Sequence, residues 1–151
     1  MTSANGYDLG GSEYPAEGLI VVDVQQPDWD DLPPEAPREY IEQDLRQDFS
    51  YLPPTDYINV SKFLRYLSND CGYLSGDPIG WENQETFAER LYKIVKQGGK
   101  IRLFDHMEVM TSVISRLVQL GCNIDLVDFI NLADQDLPCE WVVVLIKPTE
   151  E

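Results

Sequence analysis

The chain has 151 residues, which at about 100–200 residues per domain predicts a single domain over residues 1–151. Apolar residues make up 43% of the sequence and aromatic residues 11%, a globular composition that excludes a disordered chain. The 27 acidic residues outnumber the 11 basic ones and give a net charge of −16, which argues against direct binding to nucleic acid or to an anionic membrane.

The sequence carries no sign of a membrane span, a signal peptide or a metal site. Its longest apolar run, residues 141–146, has the length of a buried strand, whereas a membrane span needs about 18 residues. Residues 1–6 lack both the basic and the apolar region of a signal peptide. The three cysteines, Cys71, Cys122 and Cys139, share no metal-ligand spacing and favour free thiols. We therefore expect a cytoplasmic protein without a bound metal.

Strand-like segments occur along the whole chain. Residues 18–24 form a continuous apolar run that ends in an acid, which is typical of a parallel strand covered on both faces. A short strand is predicted at the opening residues 7–9. Further strands are predicted at 40–45, 57–60, 100–104, 124–132 and 140–146. The proline-rich and acidic residues 25–38 and the glycine-rich residues 68–82 predict loops.

Two amphipathic helices are predicted in the second half. The first begins at an N-cap, Asn83, runs to about Lys96 and ends at the pair Gly98-Gly99. The second spans 108–120. The residues expected on their inner sides are Phe87, Leu91, Ile94 and Val95 in the first helix, and Val109, Val113, Ile114, Leu117 and Val118 in the second. Apart from a short helix predicted at 61–67, the order is β, β, β, β, α, β, α, β, β, which implies a mostly parallel sheet.

The opening strand is followed by a glycine turn, and the next strand ends in an acid. Asp8, Gly10 and Gly11 form the turn, and Asp23 is the acid. A glycine turn lets a ligand approach the backbone, and a carboxylate at the carboxyl end of a strand can accept two hydroxyl hydrogen bonds. This arrangement resembles the start of the class I S-adenosylmethionine-dependent methyltransferases, in a compressed form. The resemblance implies that the turn binds S-adenosylmethionine and that Asp23 holds its ribose hydroxyls.

The resemblance continues in order from about Tyr7 to Pro148. Residues 42–45 resemble the segment whose acid contacts the adenine amino group, and that acid is here Asp44. Residues 56–67 resemble the family's fourth strand and its turn, and this resemblance implies a cofactor contact at Ser61. Residues 91–103 resemble the family's helix, glycine pair and strand, and the end of the chain resembles its closing antiparallel hairpin. The family implies an α/β three-layer sandwich with a seven-stranded, mostly parallel sheet and a Rossmann-like methyltransferase fold.

The sequence also departs from the family pattern. Ser12 stands where the turn usually has a further glycine, residues 64–67 replace a frequent Leu-Glu-His-Leu, and the N-terminal helices that cover the cofactor are missing. Two functions therefore stay open. One is a methyltransferase acting on an unidentified acceptor, with its lid supplied by residues 68–82 or by a protein partner. The other is a catalytically silent module that binds or inhibits a protein partner through its acidic surface, including as a nucleic-acid mimic.

No catalytic residue is assigned from the sequence. His106 is the single histidine and follows the fifth strand, at the edge where such sheets bind ligands. However, His106 lies next to Asp105, and it is better explained as a polar residue at the start of a helix.

The charge balance predicts how salt affects stability. A net charge of −16 makes the folded chain repel itself, and salt shortens the reach of that repulsion from about 30 Å at 0.01 M to about 3 Å at 1 M. We expect the melting temperature at pH 7 to rise with KCl over this range, and the rise to be largely lost near the isoelectric point of about 4.2. A melting temperature that stays flat would show that the acids are already neutralised by pairing or by bound cations.

Overall fold

The computed structural model describes residues 6–10, 18–23, 40–43, 45, 47–61, 81–105, 107–130 and 140–149. The strands and helices of these residues follow the predicted order, which is confirmed. They are β1 (Tyr7–Leu9), β2 (Ile20–Asp23), β3 (Tyr40–Glu42), β4 (Thr55–Ser61), α1 (Trp81–Ile94), β5 (Val95–Asp105), α2 (Met107–Leu120), β6 (Asn123–Ile130) and β7 (Glu140–Ile146).

The seven strands form one sheet in the order β3-β2-β1-β4-β5-β7-β6. The strands from β3 to β5 in that order run parallel, whereas β7 lies antiparallel to both of its neighbours, β5 and β6. The predicted α/β fold class with a seven-stranded, mostly parallel sheet is therefore confirmed. The connections at residues 24–39 and 62–80, which include most of the predicted loop residues, lie outside the described residues.

Helices α1 and α2 pack on one face of the sheet. Their stripes confirm the prediction for Phe87, Leu91, Ile94, Val113 and Leu117, which are at most 1% exposed. These side chains share a core with strand residues that lie on the same face of the sheet, including Leu9, Ile58, Leu103 and Leu145. The inward position predicted for Val118 is wrong, because Val118 is 44% exposed. It follows Leu117 by one residue, which turns it about 100° away from the buried stripe.

The end of α1 differs from the prediction. The helix ends at Ile94, and β5 begins at once with Val95, which pairs with Thr55. Lys147 closes the junction, since its Nζ donates to the carbonyl oxygens of Tyr92 and Val95 at 2.9 and 3.2 Å. The glycines expected to stop the helix therefore lie within β5, where a Cβ at Gly99 would come within 2.9 Å of a backbone oxygen.

Residue 61 also lies in a different element from the one predicted. Ser61 is the last residue of β4 and does not begin a helix. The remaining residues of that predicted helix, 62–67, lie outside the described residues.

We predict that Leu91→Ala lowers the free energy of unfolding by about 2–5 kcal/mol, because it removes buried methyl groups and leaves a cavity between α1 and the sheet. Urea denaturation measures the change. The matched control is Val118→Ala, which truncates an exposed helix position and is expected to change stability by less than about 0.5 kcal/mol. A small effect of Leu91→Ala would contradict the placement of α1.

Candidate functional site

Three of the predicted site residues lie in one row at the carboxyl-end edge of the sheet. Leu9 pairs with Val22 on one side and with Val60 on the other, so the residues that follow these three, Gly10, Asp23 and Ser61, continue side by side on adjacent strands. Neighbouring strands are about 4.8 Å apart, so Asp23 and Ser61 flank Gly10 at one strand spacing each. We call these three residues the edge row. Ligands of open α/β sheets bind at this edge.

Gly10 turns the backbone directly after β1. Its φ of 77° lies in the left-handed region that favours glycine, and its N–H donates to the carbonyl oxygen of Val22 at 2.8 Å. The turn predicted after β1 is therefore present at Gly10. Gly11, Asp44 and His106 lie outside the described residues.

The backbone of Asp23 is held by the neighbouring strand. Its carbonyl oxygen accepts hydrogen bonds from the N–H of Gln43 at 2.9 Å and from the Tyr40 hydroxyl at 3.2 Å. Desolvation of the Tyr40 hydroxyl, and then the negative charges of Glu42 and Asp23, raise the pKa of Tyr40, so this hydroxyl stays protonated and remains a donor. These contacts keep Asp23 at the end of β2, beside the glycine turn.

Asp8 lies on the same face as the edge row but two residues earlier in β1. It is 1% exposed, and its Oδ1 accepts a hydrogen bond from Asn59 Nδ2 at 3.1 Å. Asn59 Oδ1 in turn accepts from Arg102 Nη1 at 2.8 Å. The register aligns these three residues directly across β1, β4 and β5. A hydrogen-bonded chain therefore joins a buried carboxylate to a guanidinium through a side-chain amide.

Asn59 and Arg102 were not predicted as site residues. The signal in the sequence is that Tyr57, Asn59 and Ser61 alternate with apolar residues in a predicted strand. Tyr57 belongs to the same surroundings: burial raises the pKa of its hydroxyl, the charge of Arg102 lowers it, and the charge of Asp8 raises it. The face of the sheet opposite α1 and α2 thus carries a polar cluster in its centre.

Asp105 lies on the other face. It is fully buried at the end of β5, where it pairs with Trp141, and α2 begins two residues later. This position agrees with the interpretation of Asp105 as a polar residue before a helix, away from the edge row.

Among the described residues, no three histidine, cysteine, aspartate or glutamate side chains form a group that can hold a metal ion. Neither described helix has the length and apolar character that crossing a membrane requires.

Comparison with known proteins gives structural matches only. No protein-family model matches the sequence, and no curated protein matches it. The chain is similar to the N-methyltransferase NodS from Bradyrhizobium japonicum WM9, with 17% identity and a TM-score of 0.64 over 97% of this chain and 86% of that one. A methyltransferase from Methanosarcina mazei matches at 8% identity with a TM-score of 0.66, over 99% of this chain and 95% of that one.

A third match is the magnesium protoporphyrin IX methyltransferase from Synechocystis PCC 6803, at 11% identity and a TM-score of 0.66, over 96% of this chain and 70% of that one. At such identities the likeness establishes the fold. The chain has the Rossmann-like fold of the class I methyltransferases, as the sequence resemblance implied.

The chain from Asp8 to Arg102 predicts the effect of a change at its centre. Asn59→Leu keeps the size of the side chain but removes both hydrogen bonds, so we expect a loss of about 1–3 kcal/mol in the free energy of unfolding. Urea denaturation measures it. The control Asn123→Leu alters an exposed asparagine at the start of β6 and should have little effect. Equal stabilities of the two variants would contradict the hydrogen-bonded chain.

Proposed function

We propose that the chain binds S-adenosylmethionine on the edge row and transfers its methyl group to an acceptor. The observation that carries the proposal is the position of Gly10, in a left-handed turn between Asp23 and Ser61 at the carboxyl-end edge. A glycine turn beside a carboxylate, each at the end of a parallel strand, suits a ligand that carries sugar hydroxyls.

The residues present fit the cofactor. The Asp23 carboxylate, at the end of β2, is a strong acceptor for the two ribose hydroxyls. Gly10 allows the ligand to approach the backbone, and Ser61 offers a hydroxyl on the other side of the turn. We include Gly11 in the turn and Asp44 at the adenine amino group on the strength of the sequence resemblance alone.

The structural neighbours support the choice of cofactor. NodS has been solved in complex with S-adenosyl-L-homocysteine, and the Synechocystis enzyme with bound S-adenosylmethionine. Both share the fold of this chain, and ligands of open α/β sheets bind at the carboxyl-end edge. We carry the cofactor over to this chain as part of the proposal.

Charge also favours this ligand. When bound, S-adenosylmethionine supplies a methyl group on a positively charged sulfonium, and Asp8 and Asp23 place two acids on the face of the sheet that carries the edge row. Methyl transfer depends chiefly on holding the acceptor in line with the methyl group. The end of β4 and β5, where Ser61 pairs with Phe104, extends the edge row beyond the cofactor residues and offers a place for the acceptor. The acceptor itself is unidentified.

Two finer points belong to the same proposal. We retain a cytoplasmic setting, which is based on the use of cysteine in the sequence. We also retain from the sequence resemblance a lid over the site, formed by residues 68–82 or by a protein partner.

Asp23→Ala tests the cofactor site. We expect it to weaken the binding of S-adenosylmethionine and S-adenosylhomocysteine by about 1.5–3 kcal/mol, since it removes charge-assisted hydrogen bonds to the ribose. Isothermal titration calorimetry measures the dissociation constants. The matched control is Asp56→Ala, which removes an exposed acid at the opposite edge of the sheet and should bind as the unmutated chain does.

If the folded, unmutated chain binds neither compound at millimolar concentration, the enzyme proposal fails. The silent module that binds a protein partner then takes its place. If Asp23→Ala and Asp56→Ala weakened the binding of these compounds equally, the effect would be a general one of charge. It would then not support a ligand site at the end of β2.

A further inference from the structure

Arg102 differs from the other arginines that the structure describes. The other two arginines of the described residues, Arg90 and Arg116, each lie within ion-pair distance of a carboxylate, Asp48 at 3.7 Å and Glu89 at 2.7 Å. Among the residues that the structure describes, Arg102 has no such carboxylate. Its interactions in the described part of the chain are with Asn59, with the Phe104 ring and, electrostatically, with Tyr57.

These contacts hold the guanidinium in a defined place. Nη1 donates to Asn59 Oδ1 on the neighbouring strand, and Cζ lies 5.5 Å from the centroid of the Phe104 ring. Phe104 follows Arg102 by two residues on the same face of β5, and it pairs with Ser61 of the edge row. The guanidinium therefore lies beside Phe104, whose position in β5 is level with the edge row.

The remaining donors of Arg102 are suited to an anion. A guanidinium has five N–H donors in a planar fork, and the described structure gives one acceptor, Asn59 Oδ1, to them. Arg102 is partly buried, and a partly desolvated cation without an anion is unfavourable. Two parallel N–H groups on one edge of the fork match the two oxygens of a carboxylate.

The surrounding charge selects the class of anion. Asp8 lies close enough for its charge and that of Arg102 to act on the same Tyr57 hydroxyl, and the chain as a whole carries −16. A dianionic phosphate would feel twice the attraction of Arg102 but also twice the repulsion of these acids, and its desolvation cost rises with the square of its charge. With one arginine to offset that cost, the singly charged carboxylate is the anion that fits both the fork and the charge.

We propose that Arg102 is a carboxylate-binding residue for a ligand seated on the edge row, with Asn59 and Phe104 holding its guanidinium in place. The inference rests on the proposed function for the place of the ligand, but not for the anion chemistry. Two ligands there can supply the carboxylate: the amino-acid part of S-adenosylmethionine, or the methyl acceptor.

Calorimetry with two ligands separates these sources. S-adenosylhomocysteine carries the carboxylate, and its decarboxylated analogue lacks only that group. If the cofactor supplies the anion, Arg102→Met weakens binding of S-adenosylhomocysteine about 10- to 100-fold and leaves binding of the analogue unchanged. Arg102→Lys keeps the charge without the fork and should recover part of the loss. It also serves as the test variant if Arg102→Met does not fold.

The matched control is Lys100→Met, which removes an exposed positive charge two residues earlier on the same strand and should leave the binding of both ligands unchanged. If the acceptor supplies the anion, Arg102→Met leaves S-adenosylhomocysteine binding unchanged. Sodium acetate added to the unmutated chain saturated with S-adenosylhomocysteine then shifts the side-chain ¹⁵N resonance of Arg102, whereas acetamide, its uncharged counterpart, does not.

Five results decide the inference. A loss confined to S-adenosylhomocysteine, or an acetate shift at Arg102, supports it. An equal loss for both ligands shows a structural role and overturns it, as does the absence of both loss and shift in a chain that binds S-adenosylhomocysteine. If the unmutated chain binds neither nucleoside but acetate still shifts Arg102, the proposed function fails while the carboxylate site stands.

Discussion

The close approach of β1 to β4 is the contact on which the rest of the structure depends. β1 has three residues, yet it lies at the centre of the sheet between β2 and β4. Gly6 makes this possible, because a Cβ at that position would overlap the carbonyl oxygen of Tyr57. The same register places Asp8 opposite Asn59 and brings Gly10 level with Ser61. A shift of β1 by one residue would turn Asp8 into the apolar core and separate the edge row.

The local spacing of apolar residues in the sequence predicts where the helices lie better than it predicts where they end. The stripe of Phe87, Leu91 and Ile94 follows from helical periodicity and is buried as expected. The glycine pair after it suggests a helix stop, but pairing of Val95 with Thr55 draws the chain into β5 before the glycines are reached. That pairing joins residues far apart in sequence, so no local pattern reveals it.

The residues of the candidate site also differ in how far the sequence alone predicts them. Gly10 follows a short strand and Asp23 ends one, and a glycine or an acid in such a position carries its own signal. Asn59 has only its alternation with apolar residues as a local signal, and nothing local marks Arg102 as part of the site. Their partners lie 51 and 43 residues away and become neighbours only in the folded sheet. Apolar packing against α1 and α2 fills one face and leaves the other for polar groups, which is why the proposed cofactor and carboxylate contacts lie on that second face.

The most direct test of the central claim, that a ligand binds at the carboxyl-end edge beside β1, is a ¹⁵N-correlation NMR titration with S-adenosylhomocysteine. We expect the backbone amide resonances of Gly10, Asp23 and Ser61 to shift together with a single dissociation constant. The amides of Asp56 and Val95, at the opposite edge of the sheet, should stay in place. Shifts centred on that opposite edge, or no shifts in a folded chain at millimolar ligand, would contradict it.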